Sequence, residues 1–171
     1  MDINSLVYRA KKGDGSAYWE LIEPKKENLY RIAFCYVKNE EDALDIVSET
    51  IYRGLLSIGK LKIPEYFYTW LTRILINCAI NHLKKVKPLS STEREIPDST
   101  VTEELDRAQV MDLYQAIDQL DSKHKSVIIL KYIEDLTLAQ TAEILNMPVG
   151  TVKTYLNRAL KKLKLDLREV M

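Results

Sequence analysis

Residues 64–87 read P-E-Y-F-Y-T-W-L-T-R-I-L-I-N-C-A-I-N-H-L-K-K-V-K. With no Pro or Gly after Pro64 and no gap in the apolar run, the stretch predicts one long helix. Phe67, Trp70, Leu71, Ile74, Cys78 and Leu83 recur at helical spacing and are expected to face a core. Thr69, Arg73, Asn77, Asn81 and Lys84 fall in one opposing stripe, roughly 120° wide at 3.6 residues per turn. Asn is a middling helix former, so propensity gives no reason for two of them mid-helix. Its amide both donates and accepts, which suits the edge of a nucleobase. With Tyr66, Tyr68 and Trp70 at the start of the stripe, the pattern fits a surface that stacks on and pairs with unpaired bases. It also fits a core helix with a solvated polar face.

Residues 136–160, L-T-L-A-Q-T-A-E-I-L-N-M-P-V-G-T-V-K-T-Y-L-N-R-A-L, read as a helix-turn-helix. Thr137 is expected to cap the first helix, with Leu138, Ala142 and Leu145 inward. Asn146-Met147 makes the turn, and Pro148 suits the first position of the second helix. Val152, Leu156, Ala159 and Leu163 recur at i, i+4, i+7 and i+11 as a buried stripe. Thr151, Lys153, Thr154, Tyr155, Asn157, Arg158, Lys161 and Lys162 are left outward, a mixture of donors, acceptors and cations that suits the major groove. Gly150 costs about 1 kcal/mol in a helix relative to Ala. Its place in the first turn is expected where a Cβ would obstruct DNA or the preceding helix. Helix pairs of this shape also occur in plain bundles.

Around these stretches the chain predicts further helices. Residues 2–12 form an amphipathic helix with Ile3, Leu6, Val7 and Ala10 inward, ended by Gly13-Asp14-Gly15, after which Ser16 can cap the next. That second helix runs to about Lys38 with Pro24 as a kink or break. Asn39 opens a third, whose first-turn acids suit the helix dipole. Ala43, Leu44, Val47, Ile51 and Leu55 are its expected buried stripe, leaving Ile46 exposed among acids. Residues 59–64 make a basic loop into the long helix. Pro, Ser, Thr and acids dominate residues 88–102, the composition of a flexible linker. Residues 103–120 are helical, with Leu105, Ala108, Val110, Met111, Tyr114 and Ile117 available for packing, and Asp121 caps a following helix. The fold class is therefore all-α: two small helical domains, 1–87 and 103–171, joined by residues 88–102, the second a helix-turn-helix domain.

The net charge of zero hides a pattern. Residues 1–87 carry 14 Lys and Arg against 11 Asp and Glu, residues 88–135 carry 5 against 11, and residues 136–171 carry 6 against 3. Two basic zones flank an acidic one, so two separate phosphate contacts are expected, with weak binding by the free protein.

The two stretches together resemble the conserved regions of a sigma-70 family transcription initiation factor of the extracytoplasmic function group. The resemblance runs through nearly the whole chain in order. E-D-A-L-D-I-V-S-E-T at 41–50 is similar to the helix that docks on core RNA polymerase, which implies Asp42, Asp45, Ile46, Ser48, Glu49 and Arg53 as candidates for that contact. Residues 67–85 resemble the segment that opens and reads the −10 promoter element, with Asn77 on the base-reading position, and the loop 59–66 resembles the one that holds a flipped base. The −10 set implied is Lys60, Lys62, Tyr66, Tyr68, Trp70, Arg73, Asn77, Asn81 and Lys84. Residues 120–130 and 148–154 resemble the −35 region, implying Thr151, Lys153, Thr154, Tyr155, Asn157, Arg158 and Lys161 as its DNA contacts. Four positions depart from the family pattern: Gln140-Thr141 for an acid and Ile, Tyr155 for a basic residue, and Ser48 for Gln.

The function implied is that of a sigma factor, which binds core RNA polymerase and directs promoter-specific initiation by recognising −35 and −10 elements and capturing melted −10 bases. The partners implied are core RNA polymerase, promoter DNA and a membrane-anchored anti-sigma factor, with no small-molecule substrate. The alternative is a free-standing helix-turn-helix regulator. An enzyme is not expected: His82 and His124 are the only histidines, and no nucleophile elbow, phosphate-binding glycine loop or metal cluster occurs. No cofactor or metal is expected. Cys35 and Cys78 lie far apart within apolar faces and are expected as buried free thiols. No apolar run approaches the roughly 18 residues of a membrane span, and M-D-I-N-S-L is not a signal peptide, so a cytoplasmic location is expected.

Overall fold

The computed structural model describes residues 2–86 and 115–170, with side chains described as far as Lys164. The expected linker 88–102 and the packing residues Leu105, Ala108, Val110, Met111 and Tyr114 lie outside the described residues. The chain divides into two compact units, Met1–Arg94 and Glu95–Met171. Among the described residues every regular element is helical, as the periodicity predicts.

In the first unit, helix α1 spans Ile3–Lys11 and α2 Gly15–Ile22. Leu6, Val7 and Ala10 of α1 are buried, and α1 packs on α2. The cap of α2 is Asp14, not Ser16: its carboxylate accepts from the backbone N–H groups of Ser16 and Ala17. Either oxygen satisfies the sequence rule, but only Asp14 stands two and three residues before the exposed amides. Pro24 splits the next segment through a 3-10 turn, Glu23–Lys25, before α3, Lys26–Val37. A left-handed Lys38, φ 51°, ends α3, and Asn39 caps α4, Glu40–Ser57, by accepting from the Asp42 N–H.

The buried face of α4 differs from the expected one. Ala43, Ile46, Val47, Thr50 and Gly54 face inward, while Leu44 and Leu55 are 51% and 44% exposed. Small side chains won this face because α3 and α5 both press on α4 and close approach needs small residues. Two 3-10 turns, Ile58–Lys60 and Pro64–Tyr66, flank the basic loop and lead into α5, Phe67–Lys85. The core side of α5 is Phe67, Leu71, Thr72, Leu75, Ile76, Cys78 and Ala79; Trp70, Ile74 and Leu83 are only half-buried. Cys35 and Cys78 are buried free thiols.

In the second unit, residues 115–118 are helical, and Asp121 caps α6, Ser122–Ile128, by accepting from the N–H groups of Lys123 and His124. A π turn, Ile129–Ile133, closes that helix before α7, Leu138–Leu145, and α8, Val149–Val170. Ala116, Ile117, Leu120, Ile128, Ala159 and Leu163 form one buried cluster, and Val127, Ala142 and Val152 form a second under the helix pair. Buried Lys125 is paired with Asp118 at 3.3 Å. Among the described residues no helix is long and apolar enough to cross a membrane.

Candidate nucleic-acid interfaces

Three surfaces follow from these elements. The first lies on α5. Pro64 starts the leading turn, and His82, Lys84 and Lys85 occupy the last turn, where cations suit the helix dipole. With Leu71 and Leu75 buried on one side, Arg73, Asn77, Asn81 and Lys84 are exposed on the other. Among the described residues none of these four side chains is engaged in a hydrogen bond or ion pair. Lys60 and Lys62 are exposed in the preceding loop.

The expected aromatic entrance is narrower than its sequence suggests. Tyr66 is 45% exposed. Tyr68 is half-buried, with the Lys25 ammonium 5.1 Å from its ring centroid and the Phe67 ring edge-on at 5.3 Å. Burial pushes its hydroxyl above the usual tyrosine range. Trp70 packs on Phe67 at 5.8 Å and is also half-buried. Of the three, Tyr66 alone is exposed.

The second surface is the outer side of α4. Asp45, Ser48, Glu49 and Arg53 are exposed, with Glu49 and Arg53 paired. Asp42 is half-buried and stands 3.5 Å from His82 Nε2, joining the start of α4 to the end of α5. Ile46 does not belong to this surface: it is 2% exposed and its carbonyl accepts from the Thr50 hydroxyl at 2.7 Å. The apolar residues that do reach solvent are Leu44, Tyr52, Leu55 and Leu56, the last two 44% and 67% exposed. Of these, Leu44 and Leu55 were expected in the buried stripe, whereas Tyr52 was expected outside it. The signal was present in Ala43, Thr50 and Gly54, whose small side chains at i, i+7 and i+11 mark the face pressed against neighbours.

The third surface is α8. Thr137 and Gln140 form a reciprocal capping box at the start of α7: the Gln140 N–H donates to Thr137 Oγ1 at 3.1 Å and the Thr137 N–H to Gln140 Oε1 at 2.9 Å. Asn146 turns left-handed at φ 53°, and the Met147 N–H donates to the Ala142 carbonyl. Pro148 is the cap rather than the first helical residue, since its carbonyl accepts from Thr151 and Val152. Lys153, Thr154, Asn157, Arg158 and Lys161 are exposed along one side. The Thr154 hydroxyl donates back to the Gly150 carbonyl at 3.0 Å.

Two expectations on α8 change. A Cβ on Gly150 would meet nothing within 4 Å, so the preceding helix does not require glycine there. Tyr155 is half-buried, as is Thr151. Tyr155 sits only about 60° around the helix from buried Val152, so its ring joins the apolar cluster beneath the turn. The His124 ring meets it edge-on at 4.9 Å and is held in turn by Asp121 Oδ1, 2.7 Å from Nδ1. The His124 backbone N–H, with smaller help from its ring, holds the Asp121 carboxyl below the usual aspartate range.

Comparison with known proteins gives these surfaces a common context. The family description "Sigma-70 region 2" matches residues 21–88 and "Sigma-70, region 4" matches residues 111–163. The RNA polymerase sigma factor SigV of Bacillus subtilis is 40% identical over 85% of this chain and 88% of its own length. The ECF RNA polymerase sigma factor SigW of the same organism is 32% identical over 99% of each chain. Among solved structures, CnrH in complex with the cytosolic domain of CnrY superposes with a TM-score of 0.77, 22% identity, and coverage of 98% of this chain and 99% of that one. RpoE in complex with the anti-sigma factor NepR from Bartonella quintana gives 0.72, 18% identity, and coverage of 88% and 96%. At those identities the structural likeness is one of fold.

Proposed function

The chain belongs to the sigma-70 family as an RNA polymerase sigma factor of the extracytoplasmic function group, and from that premise we propose how its surfaces divide the work of promoter recognition. It directs promoter-specific transcription initiation. Sigma factors are not enzymes.

In our reading, residues 1–87 act at the −10 element and on core RNA polymerase, residues 88–102 join the two domains, and residues 103–171 act at −35. Lys153, Thr154, Asn157, Arg158 and Lys161 hold duplex DNA, the earlier residues toward base edges and the later cations on phosphate. Thr151 and Tyr155 stand at the margin of that surface. Arg73, Asn77, Asn81 and Lys84, with Tyr66, Lys60 and Lys62, take the strand-separated bases. Tyr68 and Trp70 support this surface from beneath. Flipping a base costs a few kcal/mol and stacking returns about 1–3 kcal/mol per base. So close a balance needs core polymerase to hold both domains at promoter spacing.

The docking face for polymerase is then the outer side of α4: Asp42, Asp45, Ser48, Glu49 and Arg53 around Leu44, Tyr52, Leu55 and Leu56. An apolar patch ringed by charge suits a protein partner. The same patch suits an anti-sigma factor, and a membrane-anchored one would keep this cytoplasmic chain at the membrane until released.

The observation that carries the −10 reading is the pair Asn77 and Asn81, one turn apart on α5, both exposed and, among the described residues, without a hydrogen bond. A free-standing regulator gives that pair, and the apolar face of α4, no role. Transcription in vitro with core polymerase tests the reading. Asn77→Ala is expected to cut open-complex formation at least about tenfold, the scale of one lost base contact, with unchanged affinity for core. Equal activity of the two chains would refute it.

A further inference from the structure

The loop 59–66 is not free-standing; α1 holds it. We propose that Lys11, which lies outside both family matches, is a positioning residue that presets this loop for capture of the melted −10 strand. The proposal rests on the −10 reading above and assigns it a residue that reading does not contain.

Three observations converge. Lys11 sits in the last turn of α1, and its Nζ donates to the backbone carbonyl of Leu61, fifty residues on. Helix α1 also packs against both 3-10 turns that bound the loop, Ile58–Lys60 and Pro64–Tyr66. Ile3 and Leu6 of the same helix line a hollow with Tyr68, just past the loop. One helix therefore touches the loop at its start, middle and end.

The pinned residue decides where its neighbours go. Leu61 is extended, with φ −67° and ψ 116°, and its side chain is 6% exposed. Leu61 leaves the 3-10 turn that ends at Lys60, and with its side chain seated in the core Lys60 and Lys62 on either side are exposed, as are Ile63 and Tyr66. Lys60, Lys62 and Tyr66 are the loop residues the −10 reading assigns to DNA. The ammonium-to-carbonyl bond is charge-assisted and stronger than a neutral one. Without it the loop must be ordered at the moment of capture, which weakens binding.

The bond is partly buried. Lys11 is an exposed side chain, so removing its ammonium opens no cavity, and stability is expected to stay nearly constant. That separates positioning from a structural role. The test uses the full chain assembled with core polymerase. Lys11→Met keeps the stem without the donor, Lys11→Arg restores a donor, and Asn77→Ala reports on the −10 reading itself. The readouts are binding of a single-stranded −10 oligonucleotide, fluorescence of 2-aminopurine placed in the −10 element, affinity for core, and the thermal midpoint of the free chain. Lys11→Met is expected to weaken strand capture about three- to tenfold, the scale of one ordering cost returned to binding. Core affinity and midpoint stay unchanged, and Lys11→Arg recovers most of the loss. Capture at the parental level by Lys11→Met, with Asn77→Ala impaired, overturns the role of Lys11 and leaves the −10 reading standing. A loss of capture that tracks a lowered midpoint or weaker core binding also overturns it. If neither Lys11→Met nor Asn77→Ala changes capture, both fall together.

Discussion

Tyr18 and Gly54 fit each other inside the first unit: the tyrosine hydroxyl donates to the Ile51 carbonyl at 2.7 Å and lies over the patch of α4 that Gly54 leaves bare. Burial pushes that hydroxyl well above the usual tyrosine range, so it remains a donor. A Cβ on Gly54 would collide with the hydroxyl oxygen and stand 3.1 Å from Leu71 Cδ1. Ala is the better helix former by about 1 kcal/mol, yet overpacking of this kind costs about 1–3 kcal/mol. Gly54→Ala is therefore expected to lower stability, measured by urea denaturation. In a Tyr18→Phe background the same change should cost less, and the double-mutant cycle reads the coupling.

The two kinds of apolar residue on α4 should separate cleanly. Ile46→Ala empties a buried site and is expected to cost about 2–5 kcal/mol of stability. Leu55→Asp changes an exposed position and should shift stability by no more than about 0.5 kcal/mol, while weakening association with core polymerase about tenfold or more. Thermal melts and a core-binding titration on both variants check the pair. Weakened core binding by Ile46→Ala alone would return Ile46 to the interface.

Thr141 is fully buried and its hydroxyl oxygen has no hydrogen-bond partner among the described residues. An unmatched buried hydroxyl costs about 1–3 kcal/mol. Thr141→Val keeps the shape and removes the polar atom, so the second unit should gain about 1 kcal/mol. Its neighbour behaves oppositely: Gln140→Ala breaks the capping box with Thr137 and should lose about 0.5–1 kcal/mol. The melting of the full chain, followed by a probe in the second unit, distinguishes the two signs.

Acid should reach the first unit through Asp14. The hydroxyl of Ser16, then the Ala17 N–H and Arg9, draw its carboxyl down from the ordinary 3.8 to about 2. The charged form is favoured by folding, so its contribution is complete above pH 3.8 and fades as the pH falls toward about 2. Asp14→Asn keeps an acceptor at the cap without the titration. The fall in thermal midpoint over that acidic window is expected to be shallower for Asp14→Asn than for the parent chain.

Helix starts were legible at Asn39, Asp121 and Thr137, each of which caps its helix; Asp14 was missed because Ser16 offered the same chemistry two residues on. Helix phase was harder. On α4 the larger transfer energy of Leu44 and Leu55 pointed inward, whereas close packing selected Ala43, Thr50 and Gly54. On α5 apolar residues run nearly all round, so Thr72, Leu75, Ile76 and Ala79 could not be ranked against Trp70, Ile74 and Leu83. The polar stripe Arg73, Asn77, Asn81 and Lys84 was plain for the complementary reason: polar residues mid-helix have few places to go. Tyr155 failed because an aromatic ring at the edge of a buried stripe folds over it.

Asp14, Asn39, Asp121 and Thr137 each write a start instruction within three residues of the amides they serve. Stops and starts settled so locally do not wait for distant sequence, and chains rich in near-neighbour contacts fold quickly. During synthesis, which proceeds from the N-terminus and favours unit-by-unit folding, helices α1 to α5 of the first unit are therefore expected to be assembled on the ribosome before the α7–α8 pair has been translated.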